Sequence, residues 1–251
     1  MRIYLFILLV TIWSFGCSSV DESKLSIATA ANMQFAATEL AAAFTQKTAI
    51  DCELIISSSG KLTAQIKEGA PFDLFLSANM KYPDQLFEDG LTIGPPEVYA
   101  FGNLVLWTMY SDLEPGIQVL ESDRIQHIAM ANPRNAPYGA AAESVLQNYE
   151  LLAPLTPKLV YGESIAQTNQ FIVSKAAEIG FTAQSVVLSP RMKTRGKWKI
   201  IPTDLYPPIK QGVVVLKSSP EKEKMAKQFI SFLSSEEGKI ILKEFGYATV
   251  N

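Results

Sequence analysis

Four short stretches carry the residues best suited to chemistry: Thr29-Ala30-Ala31-Asn32-Met33, Ser57-Ser58-Ser59-Gly60-Lys61-Leu62, Asn132-Pro133-Arg134-Asn135-Ala136-Pro137-Tyr138-Gly139 and Gly162-Glu163-Ser164-Ile165-Ala166. Each joins a strand-like run to a run of helical period. The first turn of a helix has N–H groups without intrahelical acceptors and the positive end of the helix dipole, so such junctions hold anions. In the second stretch, three serines allow one residue to offer both N–H and O–H to one oxyanion, and Gly60 permits close backbone approach. Asn32 reads as a helix N-cap whose side-chain amide can also donate to an anion. Pro137 stiffens the third junction, so that the N–H groups of Tyr138 and Gly139 face whatever lies at the helix start.

Other chemistry has less support. His127 is the only histidine, and Cys52 is the only cysteine besides Cys17, so neither a His or Cys metal cluster nor a disulfide framework is indicated. Cys52 reads as a small core residue. Ser59 as a nucleophile would need a base, but His127 opens a strand in another part of the chain and there is no Gly-x-Ser-x-Gly elbow. With 22 basic against 25 acidic residues, a net charge of −3 and no basic stripe, the chain lacks the electrostatic footprint of a nucleic-acid binder. No cofactor is implied.

The elements that must position these loops follow from hydrophobic patterning. Strand-like runs fall at Leu25–Ala28, Cys52–Ile56, Phe72–Leu76, Asn103–Thr108, His127–Ala131, Lys158–Tyr161, Ile179–Thr182, Trp198–Ile201 and Gln211–Leu216. Between several of them apolar residues recur at three and four, as in Met33, Ala36, Ala37, Leu40 and Phe44, giving each helix one buried stripe. Strands alternating with helices predict an α/β fold with a parallel, doubly wound sheet. Gly94-Pro95-Pro96 and Tyr206-Pro207-Pro208 interrupt the pattern. If both are crossovers, the first and last segments form one lobe, the middle forms a second, and a cleft lies between them. Two helices close the chain between Pro220 and Gly246.

The N-terminus differs from the rest. Arg2 precedes an apolar run from Tyr4 to Phe15, shorter than the roughly 20 residues needed to cross a bilayer but suited to a signal peptide. Gly16-Cys17-Ser18-Ser19 resembles a lipobox. It predicts export, cleavage after residue 16 and a membrane tether only through a lipid on Cys17.

Further residues resemble the periplasmic molybdate-binding (ModA) proteins of ABC importers. They are Ser58-Ser59-Gly60-Lys61-Leu62-Thr63-Ala64-Gln65-Ile66, then Glu68-Gly69-Ala70-Pro71-Phe72-Asp73-Leu74-Phe75-Leu76-Ser77-Ala78-Asn79, and the closing Phe232-Leu233, Gly238 and Phe245-Gly246-Tyr247. The likeness runs from about Leu25 to the C-terminus. It implies a two-lobed type II periplasmic-binding-protein fold, each lobe a mixed, mostly parallel sheet flanked by helices, with exchange near Gly102–Val105 and Gln211–Val214. It implies a molybdate or tungstate ligand, the importer's permease subunits as partners and a monomer working outside the cytoplasm. Carried over by position, the anion contacts fall on Asn32, Ser59, Tyr138 and Ile165, with Ala31 and Ser58 beside them. The chain departs from the commoner family pattern at Ala31-Asn32, where many members carry a serine, and at Ala183, where many carry a tyrosine.

Lys61 is expected to point outward, with Arg134 and Glu163 in solvent, which leaves a neutral, hydrogen-bonding cavity. Such a site favours a fully ionised dianion over phosphate, which would want a buried acceptor carboxylate. Sulfate would be excluded by size alone. Rival readings are a binding protein for sulfate or a small organic acid, a serine-dependent enzyme, and a ligand-sensing domain.

Overall fold

The computed structural model describes residues 24–250; the signal segment and Cys17 lie outside them. In chain order the first part holds β1 (Lys24–Ala30), α1 (Gln34–Thr48), β2 (Asp51–Ser57), α2 (Ser59–Lys67), β3 (Leu74–Ser77), α3 (Lys81–Glu88) and β4 (Glu97–Gly102). The middle holds β5 (Leu104–Thr108), β6 (Ile128–Ala131), α4 (Pro137–Asn148), α5 (Leu152–Leu155), β7 (Leu159–Gly162), α6 (Ile165–Val173), β8 (Ile179–Ala183), α7 (Gln184–Val187) and β9 (Lys197–Ile200). The last part holds β10 (Ile209–Val215), α8 (Pro220–Leu233), α9 (Glu236–Glu244) and β11 (Ala248–Thr249).

These strands form two sheets. One has the order β11-β4-β10-β3-β1-β2 and takes strands from both ends of the chain; the other, β7-β6-β8-β5-β9, is built from the middle alone. Both are mixed. The pairs β1–β2, β1–β3, β6–β7 and β6–β8 are parallel, whereas β10, β11, β5 and β9 pair antiparallel. Antiparallel pairs outnumber parallel ones five to four, so neither sheet is mostly parallel as expected, because the strands next to the crossings run back against their neighbours.

Burial explains the local choices. β1 and β3 are buried along most of their length because both faces of a central strand are covered. The Ala36, Ala37, Leu40 and Phe44 stripe of α1 is wholly buried, and Phe44 meets Phe229 edge-on with ring centroids 5.1 Å apart. Ala49, in the left-handed region, ends α1 by donating its N–H to Thr45 O. Beneath α8, Asp73 accepts from Ser26 N at 2.8 Å and stands 3.7 Å from the ammonium of Lys222, both side chains being almost fully buried. Cys52 is only half-buried on the edge strand β2, where burial pushes its thiol up to about 11.

The chain passes from the first sheet to the second at Asn103, between β4 and β5, and returns over residues 201–208. The return precedes Gln211, since Ile209 already pairs with Gly102 in the first sheet. Several short elements escape the patterning, β4, α3 and β11 among them. β4 directly follows the paired prolines. The short α3 contains Pro83, which sits in the first turn, where no intrahelical hydrogen bond is lost.

Candidate functional site

The four loops converge. β1 runs into a 3-10 turn at Ala31–Met33, β2 into α2, the segment after β6 into α4, and β7 into α6. Two of these ends belong to one lobe and two to the other. Their first residues wall a single cavity of about 200 Å³, counting its mouth. From one side come Ala30, Ala31, Asn32, Ser58, Ser59 and Ala78; from the other, Ala136, Pro137, Tyr138 and Ile165. Ala31, Asn32, Ser58, Ser59, Tyr138 and Ile165, the six residues expected from the sequence, are all brought together here. Ala78 was missed; it directly follows β3, the position where a strand C-terminus faces a ligand crevice.

Both serines are set up to donate. Ser58 caps α2, its Oγ accepting from Lys61 N at 3.4 Å, and Ser59 Oγ accepts from Ala78 N at 3.0 Å. With a backbone donor on each oxygen, the hydroxyl proton is the part left to offer. Of the first N–H groups of α2, Gly60's goes to Asn135 O and Lys61's to Ser58 Oγ, leaving Ser59's at the cavity wall. Ser164 caps α6 in the same way as Ser58 caps α2, accepting from Gln167 N, and so presents Ile165 as the first helical residue. No charged side chain lines the cavity.

Asn32 differs from its expected role. It lies inside the 3-10 turn, whose cap is Ala30, and makes no side-chain cap. Both protons of its amide are spent, on Gln211 Oε1 at 2.8 Å and Tyr247 Oη at 2.9 Å. Its carbonyl accepts from Ser185 Oγ at 2.7 Å and from Tyr247 Oη at 3.1 Å. Asn32 is therefore fixed by a buried network joining the ligand loop to β10, to the C-terminal tail and to α7 of the other lobe. Nothing local in the sequence ties Gln211, Tyr247 or Ser185 to Asn32, because each is far from it along the chain.

Tyr138 is buried and reaches from the cavity wall to the crossing, where a Cβ on Gly102 would fall 2.0 Å from its hydroxyl. Burial first, then the nearby Tyr247, Tyr206 and Tyr99, hold its phenol well above the usual range; burial pushes Tyr247 up to about 12. Ala183 is buried at the end of β8, outside the cavity wall.

The lobes meet across the cleft mouth. Gly60 N donates to Asn135 O at 2.9 Å, Tyr82 Oη to Arg134 O at 3.2 Å, and Lys61 pairs with Glu163 at 3.0 Å, both side chains about half exposed. Lys61 holds the Glu163 carboxyl below the usual range. Arg134 is exposed, as expected.

Two mixed α/β lobes joined by two crossings and closed over an uncharged, donor-lined cavity define a solute-binding protein. Residues 25–248 match the model of the bacterial extracellular solute-binding protein family. The molybdate-binding protein ModA of Rhodobacter capsulatus is 40% identical over 224 residues, covering 88% of this chain and 87% of that protein. The periplasmic molybdate-binding protein of Azotobacter vinelandii superposes with a TM-score of 0.86 at 34% identity, covering 91% of this chain and all of that one. The sulfate-binding protein SubI of Mycobacterium tuberculosis shares the fold alone, with a TM-score of 0.73 at 13% identity over 91% of this chain and 87% of that one. The chain belongs to the ModA family of bacterial extracellular solute-binding proteins. It is a binding protein, not an enzyme, like its relatives.

Proposed function

We propose that the protein captures molybdate, or tungstate, outside the cytoplasm and delivers it to the membrane subunits of an ABC importer. The observation that carries this reading is the cavity itself. Helix N-termini from both lobes meet there, two serine hydroxyls have their acceptor sides already engaged, and no charged side chain is on the wall. Such a site offers donors without an acceptor for a proton, which suits a fully ionised dianion and penalises phosphate protonated at neutral pH. Ala31, Asn32, Ser58, Ser59, Tyr138 and Ile165 are assigned as the contacts, Asn32 through its backbone because its amide protons are committed. Each hydrogen bond to a charged ligand contributes about 1.5–3 kcal/mol net, and each helix end about 0.3–1 kcal/mol. Several together reach micromolar affinity or better. The protein works as a monomer, tethered by a lipid on Cys17.

Isothermal titration calorimetry with molybdate, tungstate, sulfate and phosphate tests this reading. The expected result is one-to-one binding of molybdate and tungstate, with phosphate silent. Tighter binding of sulfate would reassign the ligand within the same class, and silence with all four would end the oxyanion reading.

A further inference from the structure

We infer that the contact between Gly60 and Asn135 is the stop that sets how far the lobes close, and thereby which oxyanion the cavity fits. This rests on the oxyanion reading above. Anions of equal charge cannot be told apart by a wall that carries no charge, so dimension must do it, and the dimension across the cleft is fixed by whatever halts the lobes. Gly60 and Asn135 touch backbone to backbone, one residue from Ser59 on one side and three from Tyr138 on the other. A Cβ on Gly60 would fall 2.8 Å from Asn135 Cβ and 2.9 Å from its Cα. Those atoms belong to the opposite lobe and cannot yield as a flexible side-chain end would. The third close atom, Tyr82 Oη at 2.9 Å, belongs to the second cross-lobe bond beside it. Gly60 also has no left-handed φ to justify glycine, and it lies within α2, where alanine is intrinsically the better residue. Tyr82 belongs to the lobe of Gly60 and its hydroxyl can swing aside, whereas the Asn135 backbone stands against this position only in the closed arrangement.

The test is to titrate wild type and Gly60→Ala with molybdate and with selenate, a smaller dianion also fully ionised at neutral pH, by direct and competition calorimetry, and to measure melting without ligand. The expected result is molybdate affinity lower by about tenfold or more, and a larger loss for selenate, so that the molybdate-to-selenate ratio rises about twofold or more. Ligand-free melting should be unchanged or raised, because the clash exists only between closed lobes. Tyr82→Phe, which keeps the ring and removes the neighbouring bond, should move the ratio the same way by a smaller factor. An unchanged ratio in folded Gly60→Ala, or in Tyr82→Phe if the alanine variant does not fold, overturns the assignment. Wild type that binds neither anion overturns the oxyanion reading and the stop with it; binding by wild type with an unchanged variant overturns the stop alone.

Discussion

Ser59 and Asn32 divide the work of the cavity between donating and holding. Ser59→Ala removes a hydroxyl whose acceptor side is already taken by Ala78 N, so the loss falls on the ligand. Molybdate affinity is expected to drop roughly 10- to 100-fold by calorimetry, the equivalent of one hydrogen bond to a charge. Asn32→Ala acts differently, because the lost amide bridges Gln211 and Tyr247. Denaturant unfolding should show a loss of about 2–3 kcal/mol, since buried partners are left unsatisfied. The same network governs behaviour in alkali. Tyr247, raised by burial from 10 to about 12, favours the folded state's neutral phenol. Its contribution is complete below pH 10 and is lost as pH rises towards 12, and Tyr138 and Tyr99 act in the same direction. Stability followed by circular dichroism should therefore fall by about 2 kcal/mol or more between pH 10 and 12.

Each loop is held in place by the element behind it, and at the third loop a glycine fixes that spacing. A Cβ on Gly139 would fall 2.1 Å from Ala131 O, so α4 can start against the end of β6 only without a side chain there. Gly139→Ala is expected to cost about 1–3 kcal/mol by overpacking and to weaken ligand binding as well, because α4 carries Tyr138 with it when it shifts. An unchanged affinity would mean that the start of α4 is not part of the site. The four junctions were legible because strand end, hydroxyl or small residues and helical period lie next to one another in the chain. β4 and α3 were not, since one follows a Pro-Pro pair and the other contains proline. The true role of Asn32 was equally hidden. Its partners stand 179, 215 and 153 residues away, and a local reading naturally assigns an asparagine at a helix start to capping.

For the whole molecule, ligand capture is a closing of two lobes onto three contacts across the cleft mouth. Saturating molybdate, at 100 times its dissociation constant, should add about 2.7 kcal/mol to stability and raise the melting temperature. The cavity wall carries no charge and is shielded from solvent, so affinity should vary only a few-fold between low and high salt. A steep slope would implicate Lys61 or Arg134. The second proline pair lies in the return crossing, but the first does not mark the outward one, since β4 separates it from Asn103; the balance of parallel and antiparallel strands was not readable either, because it depends on which strands become neighbours after the crossings. That strand order also bears on how the molecule is made. β10 lies between β4 and β3, and β11 covers the far side of β4. When the chain emerges N-terminus first, the middle lobe has all its strands in one continuous stretch and can finish folding early. The other lobe keeps β3 and β4 without their shared neighbour until residues 209–215 arrive, so its open sheet edge is the last part of the fold to be covered.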